Sequence, residues 1–158
     1  RWPTAVRRCC SPMSPARRSG SPEICSRAAT ASPPPSATGT AHAELDEALR
    51  DGIVLEAISG YRSHDYQLGI FERKLARGQS VAQILTVNAA PGFSEHHGGD
   101  ALDIGTPGEP PAEESFETTE AFVWLQGRAA DFGFHMSYPR ENPHGIVYEP
   151  WHWRFQPA

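Results

Sequence analysis

Ser94-Glu95-His96-His97-Gly98-Gly99-Asp100-Ala101-Leu102-Asp103 is the stretch on which the fold and the chemistry of this chain turn. Asp100 to Ile104 reads as a strand in which Ala101 and Asp103 share one face, because side chains alternate with period two. Gly98 and Gly99 let the chain turn between a loop-borne histidine and a strand-borne aspartate. A second cluster, Glu149-Pro150-Trp151-His152, supplies another histidine and a carboxylate three residues before it. Catalytic zinc usually keeps three protein ligands, drawn from imidazole nitrogen and carboxylate oxygen, and one open position for water. Two histidines and one aspartate meet that need and leave one acid free for proton transfer. Each residue alone has a plainer reading: a glycine turn, a surface or satisfied core histidine, Glu149 as a helix cap or partner of Arg154. His42, His64, His135 and His144 receive that plainer reading. Spacing leaves both readings open and does not choose between His96 and His97.

Working outward, Thr40 is expected to cap a helix that places Ala41, Leu45, Ala48 and Leu49 on one face and ends at Gly52. Ile53 to Ile58 is a β-prone run, broken by Ser59-Gly60 so that Tyr61, Arg62 and Ser63 emerge at its end. Ser63 opens a second helix through Ala76 with Leu68, Phe71 and Leu75 on its apolar face. Ser80 and Gln83 form a capping box for a short helix through Leu85, and Asn88 to Phe93 is loop. A loop from Gly105 to Glu117 leads to a helix through Asp131, with Phe122, Leu125, Gln126 and Ala129 inward. Phe134 to Ser137 and Gly145 to Phe155 suggest short antiparallel strands interrupted by prolines. The fold class is α+β.

The chain has 158 residues, 39% of them hydrophobic, which suits one domain. No apolar run approaches the ~20 residues needed to cross a bilayer. The net charge of -5 conceals an asymmetry: six Arg and one acid within residues 1 to 40 give +5, leaving -10 downstream. That basic segment is rich in Pro, Ser and Ala without helical or strand periodicity, and reads as a disordered tail ahead of a single domain at 41–158. It lacks interleaved aromatics or a nucleic-acid motif, so no nucleic-acid partner is inferred. Cys9, Cys10 and Cys25 lie in it without the spacing that lets thiolates share a metal. The chain starts at Arg1 without the features of a secretion signal, so the N-terminus does not indicate a compartment.

Three separated motifs together resemble the VanY-type D-alanyl-D-alanine carboxypeptidases, zinc peptidases of the group that includes lysostaphin and the hedgehog fold. They are Ser59-Gly60-Tyr61-Arg62-Ser63, the pattern Ser94-x-His96-x-x-Gly99-x-Ala101-x-Asp103, and Glu149-Pro150-Trp151-His152. The resemblance covers residues 41 to 158 and implies a small central antiparallel sheet with helices packed against it. It implies one zinc ion on His96, Asp103 and His152, and selects His96 over His97 by the distances to Gly99, Ala101 and Asp103. Glu149 is then the catalytic base. Arg62 resembles the arginine that receives substrate, on the terminal carboxylate or the developing oxyanion, with a structural salt bridge as its rival role. Gln67 and Ser94 resemble substrate-contacting positions, with a turn cap and a loop brace as rival roles, and Tyr138 resembles a pocket-lining residue. Trp151 and Trp153 are expected to pack around the metal cluster. The implied activity is removal of a C-terminal D-amino acid from peptidoglycan stem peptides or muropeptides by a monomer in a periplasmic or extracytoplasmic location. An L,D-carboxypeptidase, a peptidoglycan endopeptidase and a silent zinc-stabilised wall-binding module are the alternatives. Residues 1 to 40 stand where a leader or anchor and an opening helix are expected, a departure consistent with a truncated or misread coding start.

Overall fold

The computed structural model describes residues 35–156, with side-chain environments from residue 39. The expected tail up to residue 34, including Cys9, Cys10 and Cys25, lies outside the described residues. Eight regular elements follow in order: α1 (Pro35–Arg50), β1 (Glu56–Ser59), α2 (His64–Ala76), α3 (Val81–Leu85), β2 (Ala101–Gly105), α4 (Glu120–Arg128), β3 (Phe134–Met136) and β4 (His152–Phe155). The four strands form one antiparallel sheet in the order β1-β2-β4-β3.

Alternation along β2 and β4 divides the sheet into two faces. Leu102 and Ile104 on β2, with Trp153 and Phe155 on β4, join a core built from Phe116, Phe122, Leu125 and Phe134. Across the same two strands Ala101 pairs with Arg154 and Asp103 with His152, and these side chains take the opposite face. Residues of α1 and α4 join the core on one face of the sheet, and the other face carries Asp103 and His152.

Helix signals proved accurate where side chains cap backbone. The Ser63 side chain accepts from the Tyr66 N–H at 3.1 Å, and Ser80 and Gln83 complete the capping box of α3. Thr119 caps α4 by accepting from the Phe122 N–H, also at 3.1 Å. Expectations about helix faces and ends needed correction. α1 begins at Pro35, so Thr40 is interior to it rather than its cap. Proline is tolerated in a first helical turn, where its missing N–H would have had no partner. On α1 the buried positions are Glu44 and Ala48, while Leu49 is exposed. On α2 they are Gln67 and Phe71, leaving Leu68 and Leu75 largely in solvent. On α4, Ala121 is buried and Gln126 exposed.

Two further boundaries moved. β1 starts at Glu56 rather than Ile53, because the Ile53 N–H is bonded to the Ala48 carbonyl and the partner strand ends at Gly105, opposite Glu56. The expected loop before α4 contains a 3₁₀ turn, Glu114–Thr118, that sinks Phe116 into the core edge-on to Phe122. α4 itself ends at Arg128 and tightens into a second 3₁₀ turn, Ala129–Phe132, which Gly133 closes in the left-handed region at φ 74°. Of Gly145 to Phe155, only His152–Phe155 is strand. Among the described residues no helix is long and apolar enough to cross a membrane.

Candidate functional site

Asp103 and His152 face each other directly across the two central strands, and the geometry of the site grows from that pair. His152 Nδ1 lies 3.0 Å from Asp103 Oδ1, while Asp103 Oδ2 lies 3.4 Å from His96 Nε2. All three residues are buried, and one donor atom from each falls within 4.8 Å of the others. Donor atoms arranged tetrahedrally about zinc, at bonds of about 2.0–2.2 Å, stand roughly 3.3 Å apart. Both contacts to Asp103 are near that spacing, and the two histidines and the aspartate are of the donor type that could hold a metal ion such as zinc.

His96 arrives from a 3₁₀ turn, Glu95–His97, that is stitched to the segment following β1. The Arg62 N–H donates to the His96 carbonyl at 3.0 Å, and His96 Nδ1 donates to the Gly60 carbonyl at 2.8 Å. That bond keeps a proton on Nδ1, so Nε2 is the nitrogen that a neutral His96 can offer to a metal. His97 is held differently. Its Nδ1 donates to the Arg62 carbonyl at 2.6 Å and its Nε2 accepts from the Gly92 N–H at 3.1 Å, so both ring nitrogens are occupied by backbone. The structure thus gives a physical reason for the choice that spacing left open. His97→Ala is expected to cost about 1 kcal/mol of stability and to leave zinc stoichiometry unchanged. Loss of zinc binding in that variant, with the fold intact, would place His97 on the metal instead.

The turn to Asp103 runs through Gly99 at φ 76°, a conformation that L side chains seldom adopt. At the end of β1, a bulge makes Ile58 an extra residue between the pairs Ala57–Ile104 and Ser59–Asp103. Ser59 is thereby brought beside Asp103, and its hydroxyl receives Arg62 Nη2 at 3.3 Å. Arg62 Nη1 donates to Gln67 Oε1 at 3.1 Å, and Nη2 stands 3.7 Å from Asp103 Oδ2. Gln67, 1% exposed, spends its amide group on the Ala89 carbonyl at 2.6 Å. Its place inward on α2 is therefore that of a brace for Arg62.

Arg62, Gln67, Ser94, His96, Asp103 and Tyr138 line one cavity of about 280 Å³ together with Glu149 and His152. All the residues assigned from the sequence to metal, substrate or acid-base roles thus meet in one place. Trp151 lines the cavity too, but Trp153 does not, a correction that follows from its position next to His152 on a strand. Trp153 packs in the core near Phe122 and donates its indole N–H to the Pro150 carbonyl. A hollow of about 570 Å³ beside Phe122, Leu125 and Trp153 holds none of the candidate ligands.

Electrostatics separates the acids. Burial pushes the Glu149 carboxyl up to about 7, with Asp103 and Glu95 adding to the rise and His152 and Arg62 opposing it. Burial acts the same way on Asp103, but hydrogen bonds from His152 and His96 outweigh it and hold that carboxyl well below its usual range. His152 loses from burial and gains more from Asp103 and Glu95, which lift it to about 9. Tyr138, its ring 4.8 Å from that of His152, is pushed up to about 12 by burial and nearby carboxylates and stays neutral.

Glu95 was not assigned a role from the sequence, where it occupied an unspecified position of the motif. Its Oε2 is 2.8 Å from His152 Nε2, and its Oε1 accepts from Arg154 Nη1 at 3.0 Å. The only available signal was an acid next to a candidate ligand. Arg154 is thus partnered by Glu95, not by Glu149.

The VanY family model, D-alanyl-D-alanine carboxypeptidase, matches residues 35–158. The chain belongs to the VanY family. A D-alanyl-D-alanine carboxypeptidase of Enterococcus faecalis (strain ATCC 700802 / V583) is 33% identical over 123 residues, covering 70% of this chain and 43% of its own length. The chain thus spans less than half of that VanY-family relative. Among solved structures, the LdcB LD-carboxypeptidase is similar at 33% identity and TM-score 0.71, over 78% of this chain and 58% of LdcB. A VanY D,D-pentapeptidase variant in complex with Zn(II), from a VanB-type resistance cassette, is similar at 30% identity and TM-score 0.64, over 78% of this chain and 72% of its own. The α+β fold with its small antiparallel sheet is that of these VanY-family neighbours.

Proposed function

We propose that this chain is a zinc-dependent carboxypeptidase that removes a C-terminal D-amino acid, D-Ala, from peptidoglycan stem peptides. The observation that carries this reading is Glu149: a buried carboxyl near neutrality, in one cavity with the His96, Asp103 and His152 cluster and Arg62. A zinc ion held by His96, Asp103 and His152 supplies Lewis acidity, which makes water acidic near neutral pH and polarises a carbonyl oxygen. Glu149 takes a proton from the water that adds to the scissile carbonyl. As the C–N bond breaks, the same group returns the proton to the departing amine. A carboxyl near pH 7 suits both transfers, being neither too weak a base nor too weak an acid.

Arg62 offers a guanidinium to the free carboxylate of the leaving residue, its plane set by Gln67 and Ser59. Tyr138 and Trp151 wall the cavity against water. Such a substrate places the protein in a periplasmic or extracytoplasmic location. The likeness to LdcB favours a second reading, an L,D cut in the same material.

Zinc content together with muropeptide digestion tests these readings. One zinc per chain is expected, with free D-Ala released from peptides ending in D-Ala-D-Ala, activity lost to a chelator and restored by zinc. Release from tetrapeptides alone would replace the D,D with the L,D assignment. Peptide binding without turnover by the zinc-loaded protein would sink the enzyme reading in favour of a silent wall-binding module.

A further inference from the structure

His152 presents two ring nitrogens to two different carboxylates. Nδ1 faces Asp103 at 3.0 Å, on the side of His96, whereas Nε2 faces Glu95 at 2.8 Å. Only Nδ1 lies where a metal held by His96 and Asp103 can be reached. A histidine ligates through an unprotonated nitrogen, so the ring's remaining proton must sit on Nε2 when metal is bound. Glu95 is the group placed to receive that proton's hydrogen bond.

Glu95 is itself restrained. His152 and Arg154 lie two apart on β4 and project from the same face of the sheet, the period-two relation that sends Trp153 to the core. The Glu95 carboxylate bridges them, one oxygen on the imidazole and the other on the guanidinium at 3.0 Å. Two fixed donors on a paired strand leave the carboxylate little rotational freedom, and its negative charge raises the basicity of the imidazole through the shared proton.

We propose that Glu95, held by Arg154, is a positioning residue that keeps the Nε2–H of His152 engaged and so turns Nδ1 to the metal. The inference rests on the zinc reading above, yet the two fail separately. A wild-type chain that takes up no zinc sinks that reading, whereas wild-type zinc binding no tighter than in Glu95→Ala sinks only this one.

The test is zinc affinity by chelator competition at fixed pH, independent of turnover. Glu95→Ala should bind zinc about 10- to 100-fold more weakly, with the unfolding midpoint of the metal-free protein little changed. Glu95→Gln, whose carbonyl oxygen still accepts from Nε2–H, should recover most of the lost affinity; a variant as weak as Glu95→Ala would overturn the hydrogen-bond role. Arg154→Met should weaken zinc severalfold when Glu95 is present and have no further effect beside Glu95→Ala. Unchanged affinity in the single variant, or an equal loss in both backgrounds, would remove Arg154 from the proposal. In zinc-loaded wild type, nitrogen-resolved NMR should show a slowly exchanging His152 Nε2 proton that disappears in Glu95→Ala. A slowly exchanging Nδ1 proton would overturn the assignment outright.

Discussion

Replacing Glu149 with Gln is expected to lower kcat by about 10³-fold, within the range general acid-base groups contribute, while zinc still binds at one ion per chain. The amide keeps the volume and polarity of the side chain but can neither accept the proton from water nor return it to the amine. Glu149 stands outside the His96, Asp103 and His152 group, so the metal should survive the change. Substrate affinity should also persist, because Arg62 and its supports Ser59 and Gln67 are untouched. The measurement is kcat and KM on a pentapeptide substrate alongside zinc content by elemental analysis. Wild-type turnover in a zinc-loaded Glu149→Gln protein would end the proposed mechanism. In wild type, kcat/KM should rise with pH as Glu149 ionises in the free enzyme, with a midpoint drawn below the metal-free value of about 7 by the bound cation, and this acidic limb should vanish in the variant.

Glu44 should make the stability of the fold strongly dependent on pH. It lies fully buried on α1, both carboxyl oxygens lack a hydrogen-bond partner among the described residues, and burial raises its pKa from 4.5 to about 8. In the folded state it holds a proton that the unfolded chain releases at a lower pH. Its stabilising contribution is therefore complete below pH 4.5 and is lost as pH rises toward about 8, beyond which the loss is constant. The slope over that window is at most about 1.4 kcal/mol per pH unit. Glu44→Gln should flatten it, and Glu44→Met should further gain on the order of 2 kcal/mol at pH 8 by removing an unsatisfied polar group. Urea unfolding of wild type and both variants at pH 5 and pH 8 checks this. Equal pH slopes in wild type and Glu44→Gln would refute it.

Both predictions bear on what the sequence could disclose. The placing of Asp103 was legible because β2 alternates cleanly and sets it opposite in sense to Leu102 and Ile104, as the structure bears out. The choice of His96 needed the family pattern. Its physical basis, the capture of both His97 nitrogens by backbone of Gly92 and Arg62, depends on a loop contact that no local pattern encodes. Glu44 escaped notice because helical periodicity ranks positions by apolar residues, and Leu45 and Leu49 drew the face away from the side that packs toward Ala129–Phe132. Gln67 was located by motif but not by packing, since an amide buried to brace an arginine looks on a helical wheel like any polar residue. Trp153 shows the converse lesson. Adjacency in sequence to His152 suggested a shared environment, which the strand's own alternation forbids.

The facing of Asp103 and His152 across β2 and β4 makes the candidate metal site and the pairing register one specification. The two residues are 49 positions apart in the chain, yet they meet only if these strands align at a single offset. A slip by one residue would turn one donor toward the helices and bring a core side chain into the cavity. No misaligned sheet can therefore assemble the three donors. Under the proposed zinc reading, occupancy would double as a proofreader of the topology: a chain that had captured the ion would have its middle strands correctly threaded.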